Sequence, residues 1–296
     1  MFAYIKDQSV EESIPVIKMC KSLNVSETGF YKWKRNRNRP KAWQLLLVQM
    51  HEILDEHPDN ENYGIERMQL ALKQKGIIKC SRSTVIRAMR KGNLLHKSRR
   101  SPNGLTKSDK KANRPDNVIK RDFTASKPNE KWLTDITEIP CSDGKLYVAP
   151  IFDCFGGEII SLAMDSHMRK ELCINAVKEA YKLRNPGNGV IIHSDAGSQY
   201  TSEKYKNTLG GFKAIQSMSD VGKCYDNSRM ESFFATLKKE KVYKINTKKL
   251  KREEVKTIVW RYVMTYYNRQ RICTVNEGGF PPTVFREMIT EKLTAA

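Results

Sequence analysis

Long apolar runs are missing from this sequence: none approaches the roughly 20 residues that a membrane-crossing helix needs, so no membrane span is expected. Paired cysteines are missing too. The seven cysteines (Cys20, Cys80, Cys141, Cys154, Cys173, Cys224, Cys273) include no CxxC pair, and the five histidines (His51, His57, His96, His167, His193) have no zinc-site spacing to any of them. That excludes a structural zinc from the expectation. An odd cysteine count without a secretory leader points to reduced thiols and a cytoplasmic location. Acidic side chains are scarce beside basic ones, 33 against 53, for a net charge of +20. Such an imbalance calls for a polyanionic partner, with nucleic acid ahead of an acidic membrane surface.

What is present is unevenly spread. Residues 1–127 carry 27 basic and 13 acidic groups, residues 128–240 carry 14 and 15, and residues 241–296 carry 12 and 5. A near-neutral middle therefore lies between two basic flanks. A chain of 296 residues has room for two or three packed units. The pattern divides it into a helix-turn-helix-like segment (1–40), a second helical module (41–96), a basic linker (97–127), an α/β core (128–240) and a basic C-terminal helical extension (241–296).

In the first segment Ile14, Ile17, Met19 and Cys20 fall on one short helix, with Leu23 and Val25 in a turn. Ser26 can cap a second helix bearing Tyr31 and Trp33 among Lys32, Lys34, Arg35 and Arg37. The second module repeats the scheme. Ile65, Met68 and Leu72 keep helical spacing up to Gly76, and Ser81 then starts a helix that buries Val85, Ile86 and Met89 and shows Arg82, Arg87, Arg90 and Lys91 to solvent. DNA is the expected partner of these basic faces. The linker, rich in Ser, Pro, Asn, Gly and Lys, has little apolar period and is expected to order only on DNA.

From 128 the period changes to that of strands. KWLTDITEIP, KLYVAPIFDCF and EIISLAMDSH read as three strands, the last two joined by a turn at Gly156-Gly157. An amphipathic helix follows, with Leu172, Ala176, Val177 and Ala180 on one face, then the buried strand VIIHSD, a helix after Thr201, a strand near KAIQSMS and a helix from about Asp226. The order implies an α/β sheet of mixed pairing. Beyond 247 a basic helix ends in a Gly/Pro-rich tail.

Three acids sit oddly for surface duty. Asp135 interrupts a strand, Asp195 ends the greasy VIIHSD, and Glu231 lies inside the helix DNSRMESFFATLKKE. There Met230, Phe233, Phe234 and Leu237 form the core stripe, while Asn227, Glu231 and Lys238 share an adjacent face. Carboxylates converging from separate elements suit Mg²⁺, a hard ion that prefers oxygen, and two such ions can activate and steady the two oxygens of a phosphodiester exchange. Asp153 is open between facing that site and a strand-end turn. Asp226 and Asn227 suit helix caps better than ligands, and His193 suits a hydrogen-bonded core histidine better than a site residue. Trp132 should fill the core under the sheet, and most of Trp260, Tyr262, Tyr266 and Tyr267 should pack rather than stack on bases. Gly197, just after Asp195, is expected to let the chain turn away.

WLTDIT, SDAGSQY and DNSRMESFFATLKKE resemble the three signature blocks of the retroviral-integrase-type core of bacterial transposases. They are most similar to the second-frame product (OrfB) of insertion sequence family three. Thirty-five residues separate Asp195 from Glu231, as in that family's D, D, 35, E pattern, and Lys238 falls seven residues after the glutamate. LNVSETGFYKWKRNR, YGIERM and YYNRQRICTVNEGGFPPTVF extend the likeness over nearly the whole chain. The resemblance implies a ribonuclease-H-like core with a mixed five-stranded sheet. It implies Asp135, Asp195 and Glu231 as catalytic residues and ligands of two Mg²⁺ ions, with Mn²⁺ able to replace them, and Lys238 as a DNA contact. Nicking at the 3′ end of the element would be followed by strand transfer without a covalent protein intermediate. The partners implied are inverted-repeat ends and target DNA in the bacterial nucleoid, an oligomer on that DNA, and a first-frame (OrfA) partner or fusion, since no heptad run is present here. The alternative is a non-catalytic DNA-binding regulator derived from a transposase.

Overall fold

The computed structural model describes residues 1–77, 80–95, 115–220 and 224–295. Most of the expected basic linker, residues 97–114, lies outside the described residues.

Three short helices open the chain: α1 (Phe2–Glu11), α2 (Val16–Ser22) and α3 (Glu27–Asn36). Ser26 caps α3 as its position suggested, its hydroxyl accepting from the Gly29 amide at 3.2 Å. Ile5, Met19, Cys20 and Phe30 close a small core of their own. Helix α1 was not foreseen, and of the residues placed on the next helix Met19 and Cys20 are buried while Ile17 is half exposed. The second module is α4 (Ala42–Asp55), α5 (Ile65–Gln74) and α6 (Arg82–Lys91), with Ser81 capping α6 through the Thr84 amide at 3.3 Å. Met50, Met68, Leu72, Val85 and Met89 meet in its core. Ala88 is buried on α6 while Ile86, expected there, is only half-buried, since the spacing of Val85, Ala88 and Met89 already fills the inward stripe.

The sheet is built from β1 (Lys131–Thr134), β2 (Thr137–Cys141), β3 (Gly144–Asp153), β4 (Glu158–Asp165), β5 (Ile191–Ser194) and β6 (Ile215–Met218). Helix α7 (Lys170–Arg184) follows β4, and α8 (Ser198–Thr201) and α9 (Glu203–Gly211) follow β5. Helix α10 (Ser228–Glu240) follows β6. Trp132 lies across from Asp153 and Cys141 across from Gly144 in one unbroken antiparallel register, so β1 and β2 are two halves of a single strand parted at Asp135 and Ile136. Five ribbons result, in the order β4, β3, β1/β2, β5, β6, with the first three antiparallel and the last three parallel. This is the ribonuclease-H-like arrangement. Gly157, at φ 78°, makes the β3–β4 turn in the left-handed region that glycine adopts freely.

Side chains alternate across the sheet. Trp132 points to a layer with Leu172, Ala176, Val177 and Ala180 of α7, and its ring meets Tyr181 edge-on at 5.2 Å. Leu133 points to the other layer, with Met230, Phe233, Phe234 and Leu237 of α10. Residues 115–127, assigned to the linker, also join this second layer: Ile119 is buried there and Phe123 and Ala125 pack against it. Their apolar side chains are too few and too irregular to announce that packing.

The C-terminal segment, expected as a helical extension with a Gly/Pro-rich tail, runs from α11 (Arg252–Arg261) into a π-helical turn, Tyr262–Tyr267, and closes past the glycines and prolines with α12 (Pro282–Ala295). Thr283 and Arg286 of α12 donate to buried Glu158 at 3.0 and 2.8 Å, which ties the helix to β4. Glu240, the last residue of α10, is buried and accepts from Arg271 twice at 2.8 Å, from Arg67 at 2.7 Å and from the Tyr262 hydroxyl at 2.8 Å. Burial alone would raise its pKa, but the Arg271 hydrogen bonds and charge, with Arg67 and Tyr262, bring it down from 4.5 to about 2. A depressed carboxyl stabilises the fold fully above its unfolded pKa and loses that contribution as pH falls toward the folded value. Urea unfolding at pH 6 and at pH 3 should therefore show the wild-type chain losing on the order of 2 kcal/mol more than Glu240→Gln. Equal losses in the two proteins would refute this role for Glu240.

Candidate active site

Strands β1 and β5 run parallel, with Lys131 beside Ile191, Trp132 beside Ile192 and Leu133 beside His193. Carried two residues further, that register sets Asp135 beside Asp195, just past the ends of strands spaced about 4.8 Å apart. Local hydrogen bonds aim both side chains. Asp135 Oδ1 accepts from the Ile136 amide at 2.7 Å, and Asp195 Oδ1 accepts from the Gly197 amide at 3.0 Å. Gly197 has φ −66°, so the positive-φ freedom of glycine is not what the turn uses. A Cβ there would stand 3.0 Å from both Asp195 Oδ1 and Gln199 Oε1; glycine leaves room for the carboxylate.

Both aspartates are half-buried. Burial raises the Asp135 pKa well above the carboxylate range, the neighbouring Asp195 charge raises it further, and Glu231 adds a smaller repulsion; the Ile136 amide and Lys238 oppose them. Burial raises Asp195 likewise, against the Gly197 amide. Two acids that resist ionising together are a site short of positive charge.

Glu231, on the first turn of α10, is exposed, and it acts on Asp135 through its field. Among the described residues no three Asp, Glu, His or Cys side chains stand close enough together to hold an ion. The structure thus brings Asp135 and Asp195 together and leaves Glu231 beside them. Lys238 is half-buried, its pKa lowered by burial and pulled back up by the Glu138 and Asp135 charges, so it faces the acids.

Asn227 and Asp226 take roles other than the helix caps expected of them, and Arg121 and Tyr200 join them. Asn227 occupies the N-cap position of α10, yet its side chain makes no cap bond and donates instead to the Thr134 carbonyl at 3.2 Å, tying the Glu231 helix to the Asp135 strand. Asp226 is no cap either: it is buried, paired with Arg121 at 2.6 Å and accepting from Asn117 at 3.0 Å and the Asp220 amide at 3.1 Å. The signal for Asn227 was its position one turn before Glu231; nothing local announces Arg121. Under β1, the Tyr200 and Thr134 hydroxyls meet at 3.3 Å.

His193 is the core histidine expected, fully buried between Ser217 at 2.8 Å and Ser219 at 3.1 Å, with its pKa lowered by burial to about 4. Asp153 turns away from the acids and accepts from the Asn129 and Phe155 amides at 3.0 and 3.1 Å, the strand-end role. Tyr262, Tyr266 and Tyr267 are buried, whereas Trp260 is exposed. Lys32, Lys34, Arg35 and Arg37 of the first module and Arg82, Arg87 and Arg90 of α6 are all exposed, away from the acid pair on their own helices; Arg37 lies over the Trp33 ring and Arg82 stands 3.6 Å from Glu66.

The donors at the acid pair suit a hard divalent cation. All are oxygens, and in each aspartate one oxygen is fixed by a backbone amide while the other has no hydrogen-bond donor among the described residues.

A family model described as an integrase core domain matches residues 125–224, a second of the same description matches 231–289, and an HTH-like domain matches 41–102. The chain is 32% identical to "Putative transposase InsK for insertion sequence element IS150" of Escherichia coli K12, over 92% of this chain and 93% of that protein. It is 30% identical to "Transposase InsF for insertion sequence IS3A" of the same organism, over 91% and 93%. Among solved structures it is similar to the HTLV-2 integrase catalytic core domain in complex with magnesium, with a TM-score of 0.41 and 16% identity over 55% of this chain and 99% of that one.

Removing the Asn227 amide would leave the buried Thr134 carbonyl without its donor, a loss of about 1–3 kcal/mol. Asn227→Ala should show that loss in urea unfolding, and a change under about 0.5 kcal/mol would mean that the bond carries no weight.

Proposed function

The chain belongs to the insertion-sequence transposases that carry an integrase core, and we propose that Asp135, Asp195 and Glu231 form its catalytic site for cutting and joining DNA at the ends of a mobile element. The carrying observation is the pair Asp135 and Asp195, side by side past the ends of two parallel strands, each with one carboxylate oxygen anchored and one open. Phosphodiester exchange needs positive charge at that point, and oxygen donors short of a cation supply the place for it.

Asp135, Asp195 and Glu231 would hold two Mg²⁺ ions, which when bound supply activation of the attacking oxygen and neutralise charge at the phosphodiester. Everything else falls to the chain. Asp135 and Asp195 would offer their unanchored oxygens to that positive charge. Glu231 completes the donor set from α10, and Asn227 holds that helix against the Asp135 strand. Lys238 offsets negative charge at the acids and stands ready for a phosphate oxygen. Neutral His193 locks β5 to β6 through its two serines and keeps the Asp195 strand in place.

DNA is held by the basic helices. Lys32, Lys34, Arg35 and Arg37 in the first module and Arg82, Arg87 and Arg90 in the second are exposed cations that would neutralise phosphates, giving binding that weakens with salt. Joining two element ends to a target requires more than one copy on the DNA, and a first-frame partner would supply the zipper that this sequence lacks.

Asp135→Asn, Asp195→Asn and Glu231→Gln should each lower Mg²⁺-dependent nicking of element-end DNA at least about 10³-fold, with end binding in gel shift unchanged within about twofold. Wild-type activity in any one of them would remove that residue from the site. Intact binding with no nicking by the wild-type chain would instead identify a regulator that binds ends without cutting. Mg²⁺ binding, followed by the rise in melting temperature, should strengthen between pH 6 and pH 8, because a carboxyl of raised pKa must first lose its proton. A flat pH response would contradict the raised pKa of Asp135.

A further inference from the structure

The second helical module is joined to the catalytic core by a buried polar interface. Arg67 of α5 reaches Glu240 at 2.7 Å, and Glu240 is held from the other side by the Arg271 fork. Lys241 donates to both oxygens of buried Asp59 at 3.1 and 3.0 Å. Asn62 donates to the Glu240 carbonyl at 3.3 Å, and the Tyr266 hydroxyl donates to Asn60 Oδ1 at 3.1 Å, with the His57 ring stacked on Tyr266 at 4.4 Å. From the far end, the Ile272 amide donates to the Tyr63 hydroxyl at 3.1 Å, and the Ile272 side chain enters the module's own core. The π-helical turn Tyr262–Tyr267 sets up this convergence. Tyr262 goes to Glu240, Tyr266 to Asn60 and Tyr267 to the Gly157 carbonyl, so one turn grips the catalytic helix, the module and the sheet.

Apolar contact between two domains is non-directional and leaves them free to slide. Directed hydrogen bonds to buried charges do not, because any shift strands a charge without its partner. Glu240 lies nine residues after Glu231 on the same helix, about 13 Å along its axis. Arg67 lies on α5, which packs against α6. A continuous line of packed elements therefore runs from the basic face of α6, through Arg67 and Glu240, to Glu231.

We propose that this interface is a ruler: it holds the DNA-gripping helix α6 at a set distance from the acids, and so selects which phosphodiester is cut relative to the bound end sequence. Arg67, Lys241 and Asp59 are positioning residues for that choice. The inference rests on the catalytic reading above and adds what sets the position of the cut.

The test uses the full chain with Arg67→Met and Lys241→Met, partners that line the outer side of the interface and leave Glu240 paired with Arg271. Cleavage of duplex carrying the element end is mapped to the nucleotide. The wild-type chain should cut at one position. The variants should bind the end within about twofold and spread their cuts over neighbouring positions, and Lys241→Arg should restore the single cut. Variants cutting at the unshifted single position, whatever their yield, would overturn the proposal, since lost stability alone lowers yield without moving the cut. In parallel, spin labels at Ser83→Cys and Lys239→Cys report the distance from α6 to α10. A narrow distribution in the wild-type background that broadens with Arg67→Met is the expected result; a distribution already broad in the wild type, or one unchanged by Arg67→Met, overturns the ruler. A wild-type chain that cuts no DNA while keeping the narrow distance would sink the catalytic reading and leave the rigid link standing.

Discussion

Two carboxylates at the ends of neighbouring parallel strands repel each other, and burial makes each more costly to ionise. Much of the α/β unit is arranged around that conflict. Backbone amides of Ile136 and Gly197 take one oxygen of each acid, Lys238 brings a positive charge from α10, and the remaining repulsion keeps the pair harder to ionise than free carboxylates. A fold selected for stability alone would fill the same strand ends with apolar or singly charged side chains. The unresolved electrostatic cost is therefore a mark of use, of the kind that clusters at functional sites.

Helix α10 is where that cost is managed. Its start is pinned by Asn227 to the Thr134 carbonyl and by Asp226 to Arg121, its middle by the stripe of Met230, Phe233, Phe234 and Leu237, and its end by Glu240 to Arg67 and Arg271. Glu231 sits on the stretch between these anchors, on the exposed side. Its carboxylate has freedom that Asp135 and Asp195 lack, while its helix has little. On the proposed reading, such a division would let the Glu231 side chain adjust to a cation without disturbing the distance between the second helical module and the strands that carry the aspartates.

Strand and helix periods make the core legible in the sequence: the stripes on α7 and α10, the Gly156-Gly157 turn, and the break at Asp135 all stand where alternation and spacing put them. Those signals are local, generated by side chains two to four residues apart. What was missed is of another kind. Arg121 and Asp226 are 105 residues apart, and Asn62 and Glu240 178. No periodicity encodes such pairs, and a lone Arg or Glu in a chain with 29% charged residues reads as solvated surface. The segment 115–127 follows the same rule: its polar composition is that of a linker, yet a single buried Ile119 and a few long-range bonds suffice to lay it on the core. Helix caps formed the intermediate case. Ser26 and Ser81 cap as their positions imply, whereas Asn227 gives up the local bond for a distant carbonyl, because at the start of α10 holding the strand outweighs closing the helix.

The charge distribution acquires a physical meaning from this geometry. Phosphate-binding cations spread across the acid site would compete with a metal for the same carboxylates, and acids spread across the DNA-gripping helices would repel the substrate. An uneven balance of charge eases both conflicts: residues 1–127 and 241–296 carry the basic excess, and residues 128–240, which hold the acid pair, are near neutral with 14 basic and 15 acidic groups. Segregation creates its own difficulty, since a substrate held on one unit must be delivered to chemistry on another with sub-ångström care. Ion pairs at the boundary answer it: among the described residues Arg67 meets Glu240, Asp59 meets Lys241 and Glu61 meets Lys244, with each side supplying both signs of charge. The same opposition of charge that draws DNA to the protein thus also joins its parts.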